Sequence, residues 1–243
     1  MIVGGGCQVT DTPAGACRPP VIFEPAAGLA DAPELWVATS GPPHSWGGVH
    51  VFFGRTDEDD YQHVGTIARG IVHGVLLDPL PGLRASARRE HVGITVQVAV
   101  HDRGQLLSCT PAQARGGRYL LYVGRGNQYE VLAYTGAELV DLSGDAHVYA
   151  LNGYLWRDVY GTWTTPAGAV RPHAAGADVV LLGPRVLHLE YPRWLVDRVG
   201  YFKFANLNPF AEGMAPLADV PAIPVRITGR YLRDRRRFTG QVD

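Results

Sequence analysis

The sequence lacks a strong excess of charge of either sign. Its 22 Lys and Arg residues and 23 Asp and Glu residues give a net charge of −1 at pH 7. A general nucleic-acid-binding surface needs clustered positive charge, because binding displaces counterions from the phosphates. The charge balance therefore argues against nucleic acid as a partner.

Long apolar runs and cysteines are also scarce. No apolar run reaches the roughly 18 residues that a membrane-spanning helix needs, so no membrane span is predicted. The first residues lack the basic and apolar regions of an ordinary secretory signal. Three cysteines are too few for a disulfide framework. Pairing of Cys7 with Cys17 stays an open alternative, and it would leave Cys109 alone.

Glycine and proline, in contrast, are abundant, with 30 and 18 of the 243 residues. This frequency predicts many short elements separated by turns. Residues 1–30 contain three consecutive glycines and the pair Pro19-Pro20, which together disfavour a helix. We therefore predict an irregular N-terminal arm over residues 1–30, which is either a disordered leader or an extended segment lying on a neighbouring chain.

The rest of the sequence has the patterns of β-strands. Residues 92–100 alternate between apolar side chains and smaller or polar ones, which is typical of a half-buried strand. Residues 118–134 read as two strands around the turn Gly124-Arg125-Gly126-Asn127. We predict an all-β chain: a sandwich- or barrel-like antiparallel domain over 31–183, a smaller β-rich part over 184–232, and a basic tail over 233–243.

The sequence contains no established catalytic or metal-binding motif. The nine histidines stand singly, and no Gly-x-Ser-x-Gly element is present. Asp57-Glu58-Asp59-Asp60 is either a cation site or, as we favour, the solvated tip of a hairpin, because the spacing of an EF-hand loop is missing. We predict no catalytic residues, no cofactor and no metal.

A resemblance to a known family appears in six pieces of sequence that follow one another in order. The first begins Pro33-Glu34-Leu35-Trp36 and continues to Trp46-Gly47-Gly48. The other five pieces are 104–108 (GQLLS), 129–134 (YEVLAY), 155–162 (LWRDVYGT) with 179–182 (VVLL), 201–210 (YFKFANLNPF) and 229–232 (GRYL). Together they resemble the C-terminal β region of tailed-phage tail-tip, baseplate-hub and central-fibre proteins, a family that includes the host-specificity proteins of gene transfer agents.

Two positions depart from the family pattern. Residues 55–60 replace the tight Asp-Gly turn that is usual in the family's hairpin. Asp158 stands where the family pattern has glycine. No single piece is specific, and the order of the pieces is what carries the resemblance.

The resemblance implies a structural virion protein of the phage tail tip, made in the host cytoplasm. It also implies docking on other tail proteins and a homotrimer around the tail axis. We expect four residues to take part in assembly: Pro19, Pro20, Phe23 and Trp36. We expect loops 41–46, 55–60, 79–91 and 161–176 to face the host, through Trp46, Asp57, Asp59, Arg88 and Trp163.

Two alternatives remain open at this point. The five tryptophans and eleven tyrosines are also compatible with a carbohydrate-binding module that recognises a host receptor or glycan. A polysaccharide or cell-wall hydrolase would need a pair of carboxylates at a defined separation. Glu130, Asp141 and Asp158 are candidates for that pair, and the sequence singles out no two of them.

Overall fold

The computed structural model describes residues 14–58, 60–87, 90–92, 95–210 and 213–239. It confirms the predicted all-β antiparallel class, with barrel and sheet arrangements and short helices. The strands are β1 Val21–Phe23, β2 Glu34–Ala38, β3 Gly48–Gly54, β4 Gln62–Ile67, β5 His73–Leu76, β6 Glu90–Val92, β7 Val96–Val100, β8 Leu120–Arg125, β9 Gln128–Ser143, β10 Ala146–Trp156, β11 Asp178–Leu182, β12 Leu187–Glu190, β13 Val199–Leu207 and β14 Ile223–Arg226. The α-helices are α1 Pro111–Arg115 and α2 Arg230–Thr239, and short 3-10 turns lie at His101–Arg103, Arg193–Leu195 and Leu217–Asp219.

Six strands close into a barrel in the order β7-β5-β11-β8-β9-β10, and β10 pairs again with β7. Strand β6 extends the barrel wall from the other end of β10. The strands β5 and β7 approach so closely that a Cβ on Gly74 would lie 1.8 Å from the carbonyl oxygen of Ala99. Glycine is therefore required at position 74 for the barrel to close.

The barrel wall is buried on both faces where β8, β9 and β11 meet. Leu121 and Leu132 point into the barrel core, whereas their neighbours Tyr122 and Val131 point outward into a second core. The period of two along a strand explains this division. Two further sheets, β1-β2-β12 and β14-β13-β3-β4, contribute to the second core.

The hairpin predicted over 118–134 is present as β8 and β9, which pair from Leu120 opposite Ala133 to Arg125 opposite Gln128. Gly126 has a φ of +50° at the turn, which glycine adopts without steric cost. The predicted alternation holds for part of residues 92–100, since Val96, Val98 and Val100 are buried and Gln97 is exposed.

The structure differs from the prediction at both ends. Residues 21–23 were expected in an irregular arm, but they form β1 and pair with β2. Residues 233–239, predicted as a basic tail with no regular structure assigned, continue the helix α2, in which the Tyr231 hydroxyl donates to the Asp31 carbonyl at 2.6 Å. A strand of three residues has no detectable period, and its hydrogen bonds come from a partner strand, so local sequence gives no signal for it.

Glu24 connects the two ends of the chain. Its side chain is fully buried and accepts hydrogen bonds from the Tyr191 hydroxyl (2.7 Å), the Asn127 amide (2.9 Å), the Thr228 hydroxyl (2.8 Å) and the backbone N–H of Arg230 (2.8 Å). The last of these bonds satisfies an unpaired N–H at the start of α2. One carboxylate therefore joins the N-terminal segment, the β8–β9 turn and the C-terminal helix.

We expect Glu24→Gln to lower the free energy of unfolding by about 3 kcal/mol, because an amide NH₂ replaces an acceptor among buried donors. Urea unfolding followed by circular dichroism measures this change. The matched control is Glu138→Gln, since Glu138 is exposed and its replacement should cost less than about 0.5 kcal/mol. Equal losses in the two variants would contradict the role given to Glu24.

Candidate functional site

The last part of β9, residues 138–143, exposes three large apolar side chains, and we call it the exposed edge. Leu139, Val140 and Leu142 are 49%, 46% and 64% exposed. Their neighbours Glu138 and Asp141 are exposed as well. An apolar strand edge open to solvent is a ready template for pairing with another chain.

The exposed edge has a strand partner on one side. Its register with β10 runs from Glu138 opposite Ala150 to Ser143 opposite Ala146. On the other side, the pairing with β8 extends only as far as Ala133, which lies opposite Leu120. The backbone N–H of Ala137 then donates to the Ser108 hydroxyl at 3.0 Å. Beyond Ala137, within the part of the chain that the structure describes, no strand covers this side of β9. The backbone N–H and C=O groups there are open to a further strand.

The sequence carries the features that limit uncontrolled pairing at such an edge. The pairing of β9 with β10 shifts between Val148 and Tyr149, which leaves Val140 as a bulge. Bulges and charged side chains both reduce non-specific edge-to-edge association. The exposed edge thus combines apolar side chains with the two exposed carboxylates of Glu138 and Asp141, which make this surface locally negative.

A polar network fixes the end of the β9–β10 hairpin to the body of the protein. Arg18 lies 3.5 Å from the Asp145 carboxylate at that end and 3.0 Å from the Asp102 carboxylate. The backbone N–H of Arg103 donates to the Asp145 carbonyl at 3.0 Å. Asp102 and Arg103 have φ angles of +53° and +58°, a conformation that non-glycine residues seldom adopt. The hydrogen bonds to Asp102 and Arg103 offset the cost of this conformation.

Ser40 and His73 extend the network into the protein interior. The Ser40 hydroxyl donates to Asp102, and Ser40 Oγ lies 2.9 Å from His73 Nε2. Because the single hydroxyl proton is directed to Asp102, the imidazole Nε2–H is the donor to Ser40. The order of contacts is thus Asp–Ser–His, which differs from the Ser–His–Asp order in which histidine accepts the serine proton.

The environment of His73 disfavours its charged form. Burial lowers the pKa of His73 to about 4, and the nearby His101 and Arg18 act in the same direction, whereas Asp102 opposes them. Burial also lowers the pKa of His101. His73 is therefore neutral at pH 7, as its donor role to Ser40 requires.

The residues expected to face the host lie on separate loops. Trp46 is 8% exposed, and its indole N–H donates to Asn206 at 3.1 Å, so it belongs to the core and not to a contact surface. Asp57 is exposed at the β3–β4 hairpin. Trp163 is half-buried and stacks on His173, with Arg171 over its ring. Asp59 and Arg88 lie outside the described residues.

Of the four residues expected to take part in assembly, two are buried in the core and two are at least partly exposed. Phe23 and Trp36 are 1% and 6% exposed, and their rings meet edge to face at 5.8 Å. Both lie in the second core, so the expectation that they contact a partner is corrected: they stabilise this chain. Pro19 is exposed and Pro20 is half-buried. Local sequence does not reveal this burial, because sheets contributed by distant parts of the chain create it.

The carboxylates considered for hydrolysis have different environments. Glu130 is fully buried and accepts from Arg157, with an Arg157 Nη2–Oε1 distance of 2.6 Å, and it lies 3.2 Å from His173 Nε2. Burial raises the pKa of Glu130, but His173 and Arg157 outweigh it, so the net direction is downward. Asp158 is also fully buried, and Asp141 lies on the exposed edge.

Asp158 has a φ of +48°, a conformation that glycine adopts without steric cost and other residues seldom adopt. Its carboxylate accepts from the backbone N–H groups of Thr162 (2.6 Å) and Trp163 (3.0 Å) and from the Thr164 hydroxyl. Aspartate tolerates this conformation better than most residues. In this chain Asp158 therefore orders the start of loop 161–176.

The structure brings together two of the loops expected to face the host. Within their described parts, Leu80 pairs with His173 and Leu83 pairs with Val170. Arg157 donates to the Pro81 carbonyl at 2.7 Å and so holds the first loop from beneath. Among the described residues, no group of three or more His, Cys, Asp or Glu side chains is arranged to hold a metal ion. Cys7, the possible disulfide partner of Cys17, lies outside the described residues.

Comparison with known families gives one match. The model of the Rcc01698-like, C-terminal family matches residues 71–180, which is 110 of the 243 residues. This range runs from just before β5 into β11 and therefore contains most of the barrel and the whole exposed edge. A search of curated proteins found no match. No helix among the described residues has the length and apolar character needed to cross a membrane.

The polar network predicts a dependence of stability on pH. The pKa of His73 is lower in the folded state than its ordinary value of about 6.5. The unfolded chain therefore binds more protons between pH 6.5 and pH 4, and the folded state loses stability as the pH falls through this range. We expect a loss of up to about 3 kcal/mol, measured by urea unfolding at several pH values.

The variant His73→Gln keeps a donor near the Nε2 position but does not titrate. We expect a smaller slope of unfolding free energy against pH between pH 4 and pH 6.5 for this variant. The control is His44→Gln, since His44 is exposed and should leave the slope as it is in the unmodified protein. An unchanged slope in His73→Gln would show that other groups govern the acid response.

Proposed function

We propose that this protein is a structural component of a phage tail tip, and that the exposed edge is the surface by which it joins a neighbouring tail protein. The observation that carries the docking part is the uncovered apolar strand edge at Leu139, Val140 and Leu142. A protein with this role needs a stable framework and a docking surface, and it needs no catalytic centre.

The tail-tip part of the proposal is supported by the ordered sequence resemblance. Three pieces of it, at 104–108, 129–134 and 155–162, fall inside the range matched by the Rcc01698-like, C-terminal family model, and 179–182 overlaps the end of that range. The matched range is also where the barrel closes. The resemblance and the family match thus fall on overlapping parts of the chain.

The proposed mode of docking is addition of an extended strand to β9. The backbone groups of residues 138–143 would supply hydrogen bonds, and the side chains of Leu139 and Leu142 would supply apolar contact. The carboxylates of Glu138 and Asp141 would select a partner strand with Lys or Arg. The homotrimer that the resemblance implies is part of the same proposal.

We expect the double variant Leu139→Lys/Leu142→Lys to be lost from assembled tails while its fold is retained. The test produces tailed particles with the unmodified or the variant chain, isolates them, and quantifies the chain by mass spectrometry and by antibody labelling of the tail tip. We expect at least a tenfold loss of incorporation. Circular dichroism and light scattering on the free proteins report the fold and the predicted trimer.

The matched control is Leu77→Lys, because Leu77 is 42% exposed but lies in the loop after β5. It should be incorporated as well as the unmodified chain. Absence of the unmodified chain from particles would overturn the tail-tip proposal. Incorporation of the double variant at the control level would overturn the docking role of the exposed edge.

A further inference from the structure

A groove with a volume of about 600 Å³ opens between the β3–β4 hairpin and the segment that runs from β12 into the 3-10 turn Arg193–Leu195. Arg55 and Asp60, at the two ends of the loop 55–60 that was expected to face the host, line the groove, whereas Trp46, Asp57 and Trp163 do not. Its volume falls within the range of about 300–1,000 Å³ that is usual for small-molecule sites in proteins. The groove is thus a second surface feature, distinct from the exposed edge.

The floor of the groove is apolar and rigid. It includes Leu35, Leu195 and Phe202, which are 3%, 5% and 1% exposed because they also belong to the second core. Side chains held by core packing keep the shape of a site fixed before a ligand arrives, which reduces the entropic cost of binding.

One wall carries an uncovered aromatic ring. Trp194 lines the groove and is 56% exposed, whereas Trp36 and Trp46 are buried and Trp156 and Trp163 are partly buried. Its backbone carbonyl accepts from Arg198 at 3.1 Å, which helps to hold the turn that presents the ring. A large aromatic face left in water is a source of binding energy for a ligand with an apolar face.

The rim of the groove carries polar side chains with planar guanidinium, carboxylate or amide groups. Arg55 and Asp60 pair at 2.9 Å across the β3–β4 hairpin, so the guanidinium is already neutralised. Within the described residues, the side chains of Gln62 and Glu190 line the groove with no hydrogen-bond partner. Amide and carboxylate groups of this kind bind hydroxyl pairs well, because they offer two polar atoms in one plane.

We propose that this groove binds a neutral hexopyranose, such as the terminal sugar of a glycan. The C–H face of the sugar ring stacks on Trp194, and its hydroxyl groups bind the Gln62 amide and the Glu190 carboxylate. Acidic sugars are disfavoured, because the rim carries the two carboxylates of Asp60 and Glu190 against one guanidinium that is already paired. The proposal does not depend on the exposed edge or on the chain's place in a tail.

The test is isothermal titration of the full chain with methyl glycosides of glucose, galactose and mannose, and with glucuronic acid and N-acetylneuraminic acid. We expect saturable binding of at least one neutral glycoside at millimolar concentration or below, and at least tenfold weaker binding of both acidic sugars. Tryptophan fluorescence should change with the same concentration dependence, because the sugar covers Trp194.

Variants of the groove distinguish this proposal from binding elsewhere on the protein. Trp194→Ala should weaken binding at least tenfold, a change that the loss of one stacked ring and its contact area explains. Trp194→Phe keeps a smaller aromatic face and should retain part of the affinity. Gln62→Ala should weaken binding severalfold.

The matched control is Phe210→Ala, since Phe210 is 57% exposed and does not line the groove. It should bind like the unmodified chain. No saturation with any neutral glycoside would overturn the proposal, as would equal affinity in Trp194→Ala or tighter binding of the acidic sugars. If Trp194→Ala does not fold, Trp194→Phe and Gln62→Ala decide the outcome.

Discussion

The buried carboxylate of Glu24 is the constraint on which the arrangement of the two cores depends. A carboxylate is costly to bury unless its oxygens are fully hydrogen-bonded. Here the donors come from Asn127 at the barrel hairpin, Tyr191 after β12, and Thr228 and Arg230 at the start of α2. These groups are distant in sequence, so the cost is offset only when the barrel, the outer sheets and the terminal helix are all in place. The interaction therefore favours one relative arrangement of these parts over other compact arrangements.

Glu130 plays a similar part on the other side of the barrel wall. With Arg157 it forms a buried ion pair, and Arg157 in turn donates to the carbonyl of Pro81. Such a pair contributes little net stability compared with an apolar core, but its attraction offsets the cost of burial only when the two side chains are well aligned. It defines where the two long loops leave the barrel. Buried charges thus act together with the buried side chains of Leu80, Leu83 and Val170 to position these irregular segments.

The parts of the fold that were predictable from sequence are those with local signals. The alternation at Val96, Val98 and Val100 and the turn at Gly126 identified strands and a hairpin, because their patterns lie within a few residues. Barrel closure and the burial of Phe23, Trp36 and Trp46 were not predictable, since each depends on strands far away in the chain. The candidate sites were not predictable for the same reason. Neither the uncovered side of β9 nor the groove at Trp194 has a motif, because both are defined by which neighbouring strands are absent or present.

Asp158 shows how one side chain satisfies a backbone constraint and orders a loop. Its φ is +48°, which aspartate tolerates better than most residues, and its carboxylate binds the N–H groups of Thr162 and Trp163. The buried networks at Glu24, Glu130 and Asp158 all act in this way, since they fix the framework through interior contacts. The exposed edge of β9 and the ring of Trp194, in contrast, take part in none of these three networks and are exposed to solvent.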